Sequence, residues 1–214
     1  MSKKVGILGT GMVGQVLASG FLKHGHQVTI ATRNPDKVAD WLDKNPGGKV
    51  GSHKEVGAWA DIIVLASKGT AAEAAIRLCD AADLAGKTII DTTNPIADAP
   101  PTNGVLHYFT TLEESLMEQL QQANPKAHFV KAFNSVGNAF MVNPPFQPQA
   151  TMFICGNDAD AKAVVRSILD QFGWDTADMG TATAARAIEP LCMLWCIPGL
   201  RGGGWSHAFK LLRG

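Results

Sequence analysis

The sequence predicts an α/β protein with a doubly wound, mainly parallel sheet and a small C-terminal helical extension. Short apolar runs alternate with helical patterns along the chain, and a glycine-rich turn follows the first run. Of the 214 residues, 46% are hydrophobic and 18% are charged, which is enough apolar material for a buried core. Alternating strands and helices indicate a sheet that is covered on both faces.

The chain opens with a strand–helix–strand unit. Residues 5–8 form an apolar run, and residues 12–23 place Val13, Leu17 and Phe21 at helical spacing. Residues 28–30 are rich in β-branched side chains, which favours a second strand. This length is typical of a βαβ unit with a right-handed crossover.

The alternation continues to the end of the chain. We place a proline at the start of the second helix and Asp158 as the cap of a later one. The further strands are predicted at 61–66, 87–91, 128–132, 151–155 and 174–177, and the further helices at 36–44, 70–82, 112–122, 158–172 and 181–195.

Three other segments carry expectations of their own. The long loops at 94–110 and 143–149 follow predicted strands, so we expect both to border a site at the carboxyl edge of the sheet. The glycines of 201–205 indicate a hinge that leads into a terminal amphipathic helix; the alternative is a turn that approaches a ligand closely.

The glycine-rich turn is a G-x-G-x-x-G motif at residues 9–14. Gly9 makes the tight turn, Gly11 leaves room for a pyrophosphate, and Gly14 lets the helix pack close to the strand. The following helix start offers free N–H donors and partial positive charge. The motif therefore predicts a Rossmann-type dinucleotide site; the alternative is a glycine-rich turn without a ligand.

The end of the second strand selects the dinucleotide. A carboxylate there favours NAD, because it bonds the ribose 2′-hydroxyl, whereas an arginine favours a 2′-phosphate. Thr32 and Arg33 stand at this position, Lys37 follows within reach, and Asp36 falls in the first turn of the next helix. The pattern favours NADP(H) over NAD. We assign 1–180 to an NADP-binding Rossmann domain and 181–214 to the helical extension.

Composition limits the partners and the compartment. The formal net charge is zero, so the sequence gives no reason to expect nucleic acid or an anionic membrane as partner. The chain begins without a secretory signal, no apolar run approaches the ~20 residues of a membrane span, and the four cysteines lack disulfide spacing. We expect a cytoplasmic protein in which Cys192 and Cys196 are core thiols of the last helix.

Five segments together resemble the NADPH-dependent reductases of the deazaflavin coenzyme F420, and the reductase domain of the metalloreductases that act on iron and copper. The resemblance covers nearly the whole chain, and the set in this order is more specific than the first motif alone. The segments are Gly9-Thr10-Gly11-Met12-Val13-Gly14, Ala31-Thr32-Arg33-Asn34-Pro35, Asp91-Thr92-Thr93-Asn94-Pro95, Val130-Lys131-Ala132-Phe133-Asn134 and Phe153-Ile154-Cys155-Gly156-Asn157-Asp158.

The resemblance implies a site for each part of NADP(H). It places the pyrophosphate at the glycine motif, the 2′-phosphate after the second strand, one ribose after the strand that ends at Ala66, and the nicotinamide at two later strand ends. In that order, the predicted cofactor-binding residues are Gly9, Thr10, Gly11, Met12, Val13 and Gly14; Thr32, Arg33, Asn34 and Lys37; Ser67 and Lys68; and Asn94, Pro95 and Asn134.

The resemblance also implies a reaction that needs little acid–base catalysis. A hydride passes directly between the nicotinamide and a stacked acceptor ring, either coenzyme F420 or a flavin such as FMN or FAD. We therefore nominate no catalytic acid or base and no metal ligand. The family implies a homodimer, with the apolar face of the last helix as core or dimer seam.

Two other functions fit the residues. A reductase of a small imine or carbonyl substrate would use the same cofactor, but such enzymes normally add a large helical domain. A non-catalytic NADPH sensor would bind the cofactor without oxidising it. The residues leave the acceptor and the direction of transfer open.

Overall fold

The computed structural model describes residues 2–214 and contains one eight-stranded sheet flanked by helices. The strands are Lys4–Leu8 (β1), Gln27–Ala31 (β2), Gly48–Gly51 (β3), Ile62–Leu65 (β4), Thr88–Asp91 (β5), His128–Lys131 (β6), Thr151–Gly156 (β7) and Asp175–Asp178 (β8). The α-helices are Met12–Lys23 (α1), Ala39–Lys44 (α2), His53–Trp59 (α3), Ala72–Arg77 (α4), Ala81–Leu84 (α5), Leu116–Ala123 (α6), Ala159–Gln171 (α7) and Ala185–Leu200 (α8).

The sheet has the strand order β3-β2-β1-β4-β5-β6-β7-β8. Strands β1 to β6 are parallel, β7 pairs antiparallel with β6, and β8 is parallel to β7. The chain order reverses between β1 and β4, which lie side by side at the centre. In open α/β sheets a ligand crevice forms at the carboxyl ends of the strands at such a reversal.

The sheet separates two hydrophobic clusters. One cluster includes Leu17, Phe21 and Phe172, from α1 and the end of α7, and the other includes Met117 and Ile188, from α6 and α8. Both faces are therefore covered, as the sequence predicts for a doubly wound fold. Within residues 2–214, no helix combines the length and the apolar character needed to cross a membrane.

The first helix has the bounds that the sequence predicts, and Asp158 caps α7 by accepting from Ala161 N at 2.7 Å. The sequence analysis missed β3 and α3. Strand β3 reads Gly-Lys-Val-Gly and forms the edge of the sheet, so it shows no apolar run. Helix α3 does carry a sequence signal, since Ser52 and Glu55 form a capping box.

Several predicted helices have different bounds. Helix α6 begins at Leu116 and not at 112, and the helix expected at 36–44 starts as a 3-10 turn, Pro35–Val38, before α2. The helix expected at 70–82 is divided into a 3-10 turn, α4 and α5, because Asp80 adopts an extended conformation before α5. The last helix runs on to Leu200 although it contains Pro190 and Pro198. Ile188, Cys192 and Trp195 on one side of this helix are buried, and this packing offsets the backbone hydrogen bonds that the prolines cannot donate.

The prediction of a terminal amphipathic helix is wrong. Residues 205–214 contain no helix and run back along the start of β7. Thr151 N donates to Phe209 O at 2.9 Å, and Leu211 N donates to Thr151 Oγ1 at 3.2 Å. Lys210 Nζ lies 2.7 Å from Asp175 Oδ2. The mixed polar and apolar residues of this tail therefore belong to an extended segment packed beside the sheet.

The loop at 143–149 packs beside α1 and the end of α7. Asn143 N donates to Phe172 O at 2.8 Å, which holds the start of this loop at the end of α7. Asn143 lines a cavity of about 690 Å³ between α1 and α2, together with Lys23 and Trp41. None of the loop lines the cleft at the glycine motif. The strand order accounts for this placement, because β7 lies three strands away from β4, and the cleft is lined by the loops after β1, β2 and β4.

Candidate functional site

A cleft of about 670 Å³ opens at the carboxyl ends of β1, β2 and β4. Its walls are the three loops that leave these strands, together with α4 and the start of α3. The lining residues are Gly9, Thr10, Gly11, Ala31, Thr32, Arg33, Asn34, Lys37, His53, Ala66, Ser67, Lys68, Ala71, Ala74, Ala75 and Leu78. The cleft therefore joins the three segments where the sequence places the pyrophosphate, the 2′-phosphate and a ribose.

The three glycines of the motif have different surroundings. Gly9 has φ of 148°, and a Cβ there would lie 2.3 Å from Ala66 O. A Cβ on Gly14 would lie 2.2 Å from Gly9 O, so this position allows the close approach of α1 to β1. A Cβ on Gly11 would meet no atom within 4 Å. Gly9 and Gly14 are thus required by packing, whereas Gly11 leaves open space beside the cleft.

Charge in the cleft has one sign. Arg33, Lys37 and Lys68 line it, and its lining contains no aspartate or glutamate. The whole chain has a formal net charge of zero, so the cleft concentrates positive charge that the rest of the molecule balances elsewhere. Such a lining attracts a polyanionic ligand.

The loop after β2 is fixed by its own hydrogen bonds. Thr32 Oγ1 donates to Asn34 O at 2.8 Å and accepts from Asn34 N at 2.9 Å. The side chain of Asn34 accepts from Asp36 N at 3.1 Å and caps the 3-10 turn Pro35–Val38. Thr32 and Asn34 therefore order the backbone that presents Arg33 and Lys37, while Asp36 takes the first-turn position that the sequence predicts.

The segment after β4 brings two polar side chains to the cleft. Ser67 Oγ is buried and has no hydrogen-bond partner among residues 2–214. An unpartnered buried hydroxyl costs free energy, so its position beside the cleft fits a ligand that bonds to it. Lys68 Nζ forms an ion pair with Asp98, which lies on the loop at 94–110. This pair attaches that loop to the rim of the cleft.

Asn94, Pro95 and Asn134 do not line this cleft, but they lie close by. A Cβ on Gly69 would lie 1.9 Å from Asn94 O, so Asn94 contacts the turn that follows Lys68. Asn94 Nδ2 donates to Asn134 O at 2.8 Å, and Asn134 Nδ2 donates to Asn94 Oδ1 at 3.1 Å and to Ile188 O at 2.9 Å. Asn134 Oδ1 is buried without a partner among the described residues.

Met12, Val13 and Gly14 are the predicted pyrophosphate residues that lie outside the cleft lining, and Gly14 packs against Gly9. Met12 is 65% exposed and borders the cavity between α1 and α2, while Val13 packs against the core. Their backbone N–H groups belong to the first turn of α1, whose N-cap residue Gly11 supplies no side-chain hydrogen bond. Any contribution to anion binding would therefore come from these N–H groups.

The sequence analysis missed a buried ion cluster next to Asn134. Lys131 Nζ lies 2.7 Å from Asp91 Oδ2 and 2.9 Å from Glu189 Oε1, and it donates to Thr93 O at 2.8 Å. Burial alone would lower the pKa of Lys131, but the two carboxylates raise it above its usual value. Glu189 follows Ile188, whose carbonyl holds Asn134, so the cluster supports the polar pair formed by Asn94 and Asn134.

A signal for this cluster exists in the sequence. Lys131 ends β6 between apolar neighbours on both sides, Val130 and Ala132, and Asp91 ends the neighbouring strand. A lysine in a fully buried strand requires an acidic partner. The position of the third member, Glu189, is harder to foresee, because it stands among apolar residues of α8 that are far away in the chain. Tyr108 was missed as well, and its hydroxyl donates to Glu189 O at 2.8 Å.

Comparison with known proteins places the chain in a family. The family model described as "NADP oxidoreductase coenzyme F420-dependent" matches residues 4–95. A solved structure from Arthrobacter sp. FB24, assigned as an F420-dependent NADP reductase, is 32% identical with a TM-score of 0.93, covering 99% of this chain and 100% of that one. The chain belongs to the family of F420-dependent NADP oxidoreductases, as its motifs predict.

Two curated relatives show the breadth of the family. The F420-dependent NADP reductase of Methanocaldococcus jannaschii is 27% identical over 206 residues, which cover 89% of this chain and 90% of that protein. The rat metalloreductase STEAP3 is 30% identical over 211 residues, which cover 96% of this chain but 40% of that protein. The chain thus spans less than half of the metalloreductase that it matches.

Proposed function

We propose that this chain binds NADP(H) in the cleft and transfers a hydride between it and a deazaflavin or flavin acceptor. The observation that carries the proposal is the lining of the cleft. Arg33, Lys37 and Lys68 supply positive charge without an acid among the lining residues, beside the open space at Gly11. A dinucleotide with a further phosphate is the ligand whose charge and length suit this lining.

Each part of the cofactor has a matching group. The pyrophosphate would lie over Gly11 at the start of α1, where N–H groups and the helix dipole favour an anion. The 2′-phosphate would bind Arg33 and Lys37, with the Thr32 hydroxyl beside them. Ser67 Oγ would form the hydrogen bond to a ribose that it lacks within the chain.

The nicotinamide would lie towards Asn94 and Asn134. Asn134 Nδ2 already donates to Asn94 Oδ1 and Ile188 O, so the orientation of this side-chain amide is fixed. Its Oδ1 atom is left as an acceptor without a donor. The carboxamide N–H of a nicotinamide supplies such a donor, and the resulting bond would fix the orientation of the ring.

For the proposed hydride transfer, the protein has to position the two rings and exclude water from the site. When bound, NADPH supplies the hydride that an acceptor ring takes up. The nearby Lys131 is no candidate for a catalytic acid, because its ammonium group already bonds Asp91, Glu189 and the carbonyl of Thr93. We assign no residue to proton transfer, and the contribution of the chain is to hold the donor in place.

The test is NADPH oxidation, followed by absorbance, with coenzyme F420, FMN and FAD as separate acceptors. A small imine and a small ketone complete the panel. Saturable turnover with F420 or a flavin supports the proposal and identifies the acceptor class. Turnover with the imine or ketone alone contradicts it in favour of a small-substrate reductase. Tight NADPH binding without turnover on any acceptor contradicts it in favour of a sensor.

A Gly11→Ala variant serves as the control for this assay. The substitution adds one methyl group in open space of the protein, at the place proposed for the pyrophosphate. Loss of turnover in a variant that remains folded shows that the observed oxidation comes from this cleft. Unchanged turnover would show that the cofactor binds elsewhere.

A further inference from the structure

His53 is a lining residue of the cleft that the dinucleotide motifs do not include. It is the first residue of α3, whose start is fixed by the capping box of Ser52 and Glu55. Its backbone carbonyl accepts the thiol of Cys79 at 3.2 Å, so its main chain is also held from the other side. Its half-buried side chain lines the same cleft as Arg33 and Lys37.

We propose that His53 is a specificity residue that binds the 2′-phosphate of NADP(H) in its protonated form, so that the preference for NADP(H) over NAD(H) increases as the pH falls. The inference rests on the proposed NADP(H) site. Protonated His53 would be a third cationic group at the 2′-phosphate, beside Arg33 and Lys37. It comes from the connection between β3 and α3, whereas Arg33 and Lys37 belong to the loop after β2.

The acids near His53 are engaged by partners of their own. On α3, Glu55 accepts hydrogen bonds from Ser52 N and Ser52 Oγ, both at 2.8 Å. Lys54 Nζ lies 3.1 Å from Asp80 Oδ2, in the segment before α5. Neither carboxylate lines the cleft, so the anion that would pair with a protonated His53 has to come from a ligand.

The remaining neighbours of His53 also leave the imidazole without an anionic partner among residues 2–214. Burial, followed by the charge of nearby Asp80, raises the pKa of the Cys79 thiol to about 11, so this thiol is neutral at physiological pH. Asp36 lies on the loop after β2, where its N–H group bonds Asn34, and it is absent from the cleft lining. Arg33 and Lys37, which line the same cleft, are cationic side chains and cannot pair with an imidazolium.

The sign of the pH dependence follows from the environment of the imidazole. Burial, followed by the charge of Arg33, lowers the pKa of His53 below its usual value, so these surroundings favour the neutral imidazole when no anion is bound. A bound 2′-phosphate dianion reverses this effect because it stabilises the imidazolium. Binding then takes up a proton, and affinity rises as the pH falls. A pKa change of one unit corresponds to about threefold in affinity between about pH 6 and 8.

The experiment measures binding, so it does not depend on the acceptor. Adenosine 2′,5′-bisphosphate and adenosine 5′-phosphate are titrated by calorimetry, between about pH 6 and 8, into the wild type, His53→Asn and His53→Lys. The phosphate itself titrates near a pKa of about 6, and this contribution is common to all three proteins. The decisive quantity is therefore the difference between the pH profiles of the proteins.

Three results are expected. The affinity of the wild type for the bisphosphate falls about threefold more than that of His53→Asn as the pH rises from about 6 to 8. His53→Lys, which carries a permanent charge, binds the bisphosphate more tightly than the wild type at pH 8 and has the pH profile of the asparagine variant. Adenosine 5′-phosphate shows no difference among the three proteins.

Other outcomes overturn the inference and identify the step that fails. Parallel pH profiles for the wild type and His53→Asn, with tight binding of the bisphosphate, refute the role of His53 and leave the NADP(H) site intact. Equal weakening of both nucleotides in His53→Asn would assign the imidazole to the adenine or ribose instead. Failure of all three proteins to distinguish the two nucleotides would overturn the 2′-phosphate site together with the inference.

Discussion

Lys131 Nζ lies 2.9 Å from Glu189 Oε1, and this fully buried ion pair joins β6 to α8. Glu189 also accepts the backbone N–H groups of Leu116 and Met117, each at 3.0 Å, so the same carboxylate holds the start of α6. Two helices and the sheet therefore depend on one charged cluster. Because Ile188 O binds Asn134, the cluster also determines where the proposed nicotinamide partner lies.

Replacement of Lys131 by methionine should lower the free energy of unfolding by about 3–5 kcal/mol. The substitution leaves the carboxylates of Asp91 and Glu189 buried without their cation, and an uncompensated buried charge is costly. Urea denaturation at neutral pH measures the change. The matched control is Lys210→Met, which removes the more exposed ion pair with Asp175 and should cost at most about 1 kcal/mol. Equal effects of the two substitutions would refute a structural role for the buried cluster.

The sequence predicts the fold well where local patterns determine it. The bounds of α1 follow from apolar spacing and the glycine motif, and the parallel core strands follow from their β-branched runs. The edge strand β3 was missed because two of its four residues are glycine. The tail was assigned to a helix because its pattern of apolar residues does not reveal that Thr151 offers it hydrogen bonds.

The residues of the candidate site likewise include some that the sequence predicts and others that it does not. The lining residues that follow β1 and β2 were named from the glycine motif and the end of the second strand, and Ser67 and Lys68 after β4 were named from the family resemblance. His53 and Glu189 were not named. His53 follows the strand that was missed, and Glu189 acts through contacts with Lys131 and α6 that only the tertiary fold brings together. Local patterns predict what a strand end presents but do not predict which distant side chain meets it.

The ion pair of Glu118 and Arg186 should make stability depend on pH in the acidic range. Burial opposes ionisation of Glu118, but hydrogen bonds from Arg186 and Ser115 outweigh it and lower the pKa of Glu118. A carboxylate whose pKa is lowered by folding stabilises the protein above its unfolded pKa, near 4.3, and this contribution is lost as the pH falls through the folded value. We expect Glu118→Gln to cost about 1 kcal/mol at pH 7.

The pH dependence of that cost is the test. The difference between the wild type and Glu118→Gln in urea denaturation should shrink from about pH 5 downwards and vanish once the pH lies below the folded pKa. Asp98→Asn serves as a control, because Asp98 pairs with Lys68 at the exposed rim and should contribute little. A cost that stays constant between about pH 7 and 3 would show that shape, and not charge, accounts for the contribution of Glu118.

Substitutions at two glycines of the motif should affect NADPH binding and protein stability differently. Gly11→Ala places a methyl group in open space and should cost less than about 1 kcal/mol of stability, while NADPH binding falls at least tenfold because the pyrophosphate is blocked. Gly14→Ala places a methyl group 2.2 Å from Gly9 O, so it should destabilise the fold by about 1–3 kcal/mol. Thermal unfolding and fluorescence titration of NADPH measure the two effects. A stable Gly11→Ala protein with normal NADPH affinity would contradict the assignment of the pyrophosphate.

Arg33→Ala should weaken the binding of NADPH at least tenfold and that of NADH little. Arg33 lines the cleft beside Lys37, and each charged hydrogen bond to a phosphate is worth about 1.5–3 kcal/mol. NADH has no 2′-phosphate, so its binding does not depend on these bonds. Arg33→Lys should fall between the wild type and the alanine variant, because it keeps the charge but not the planar pair of donors. Fluorescence titration of both nucleotides gives the two ratios. Equal loss for NADPH and NADH would show that Arg33 contacts a part common to both, and the 2′-phosphate would then have to be assigned to other residues.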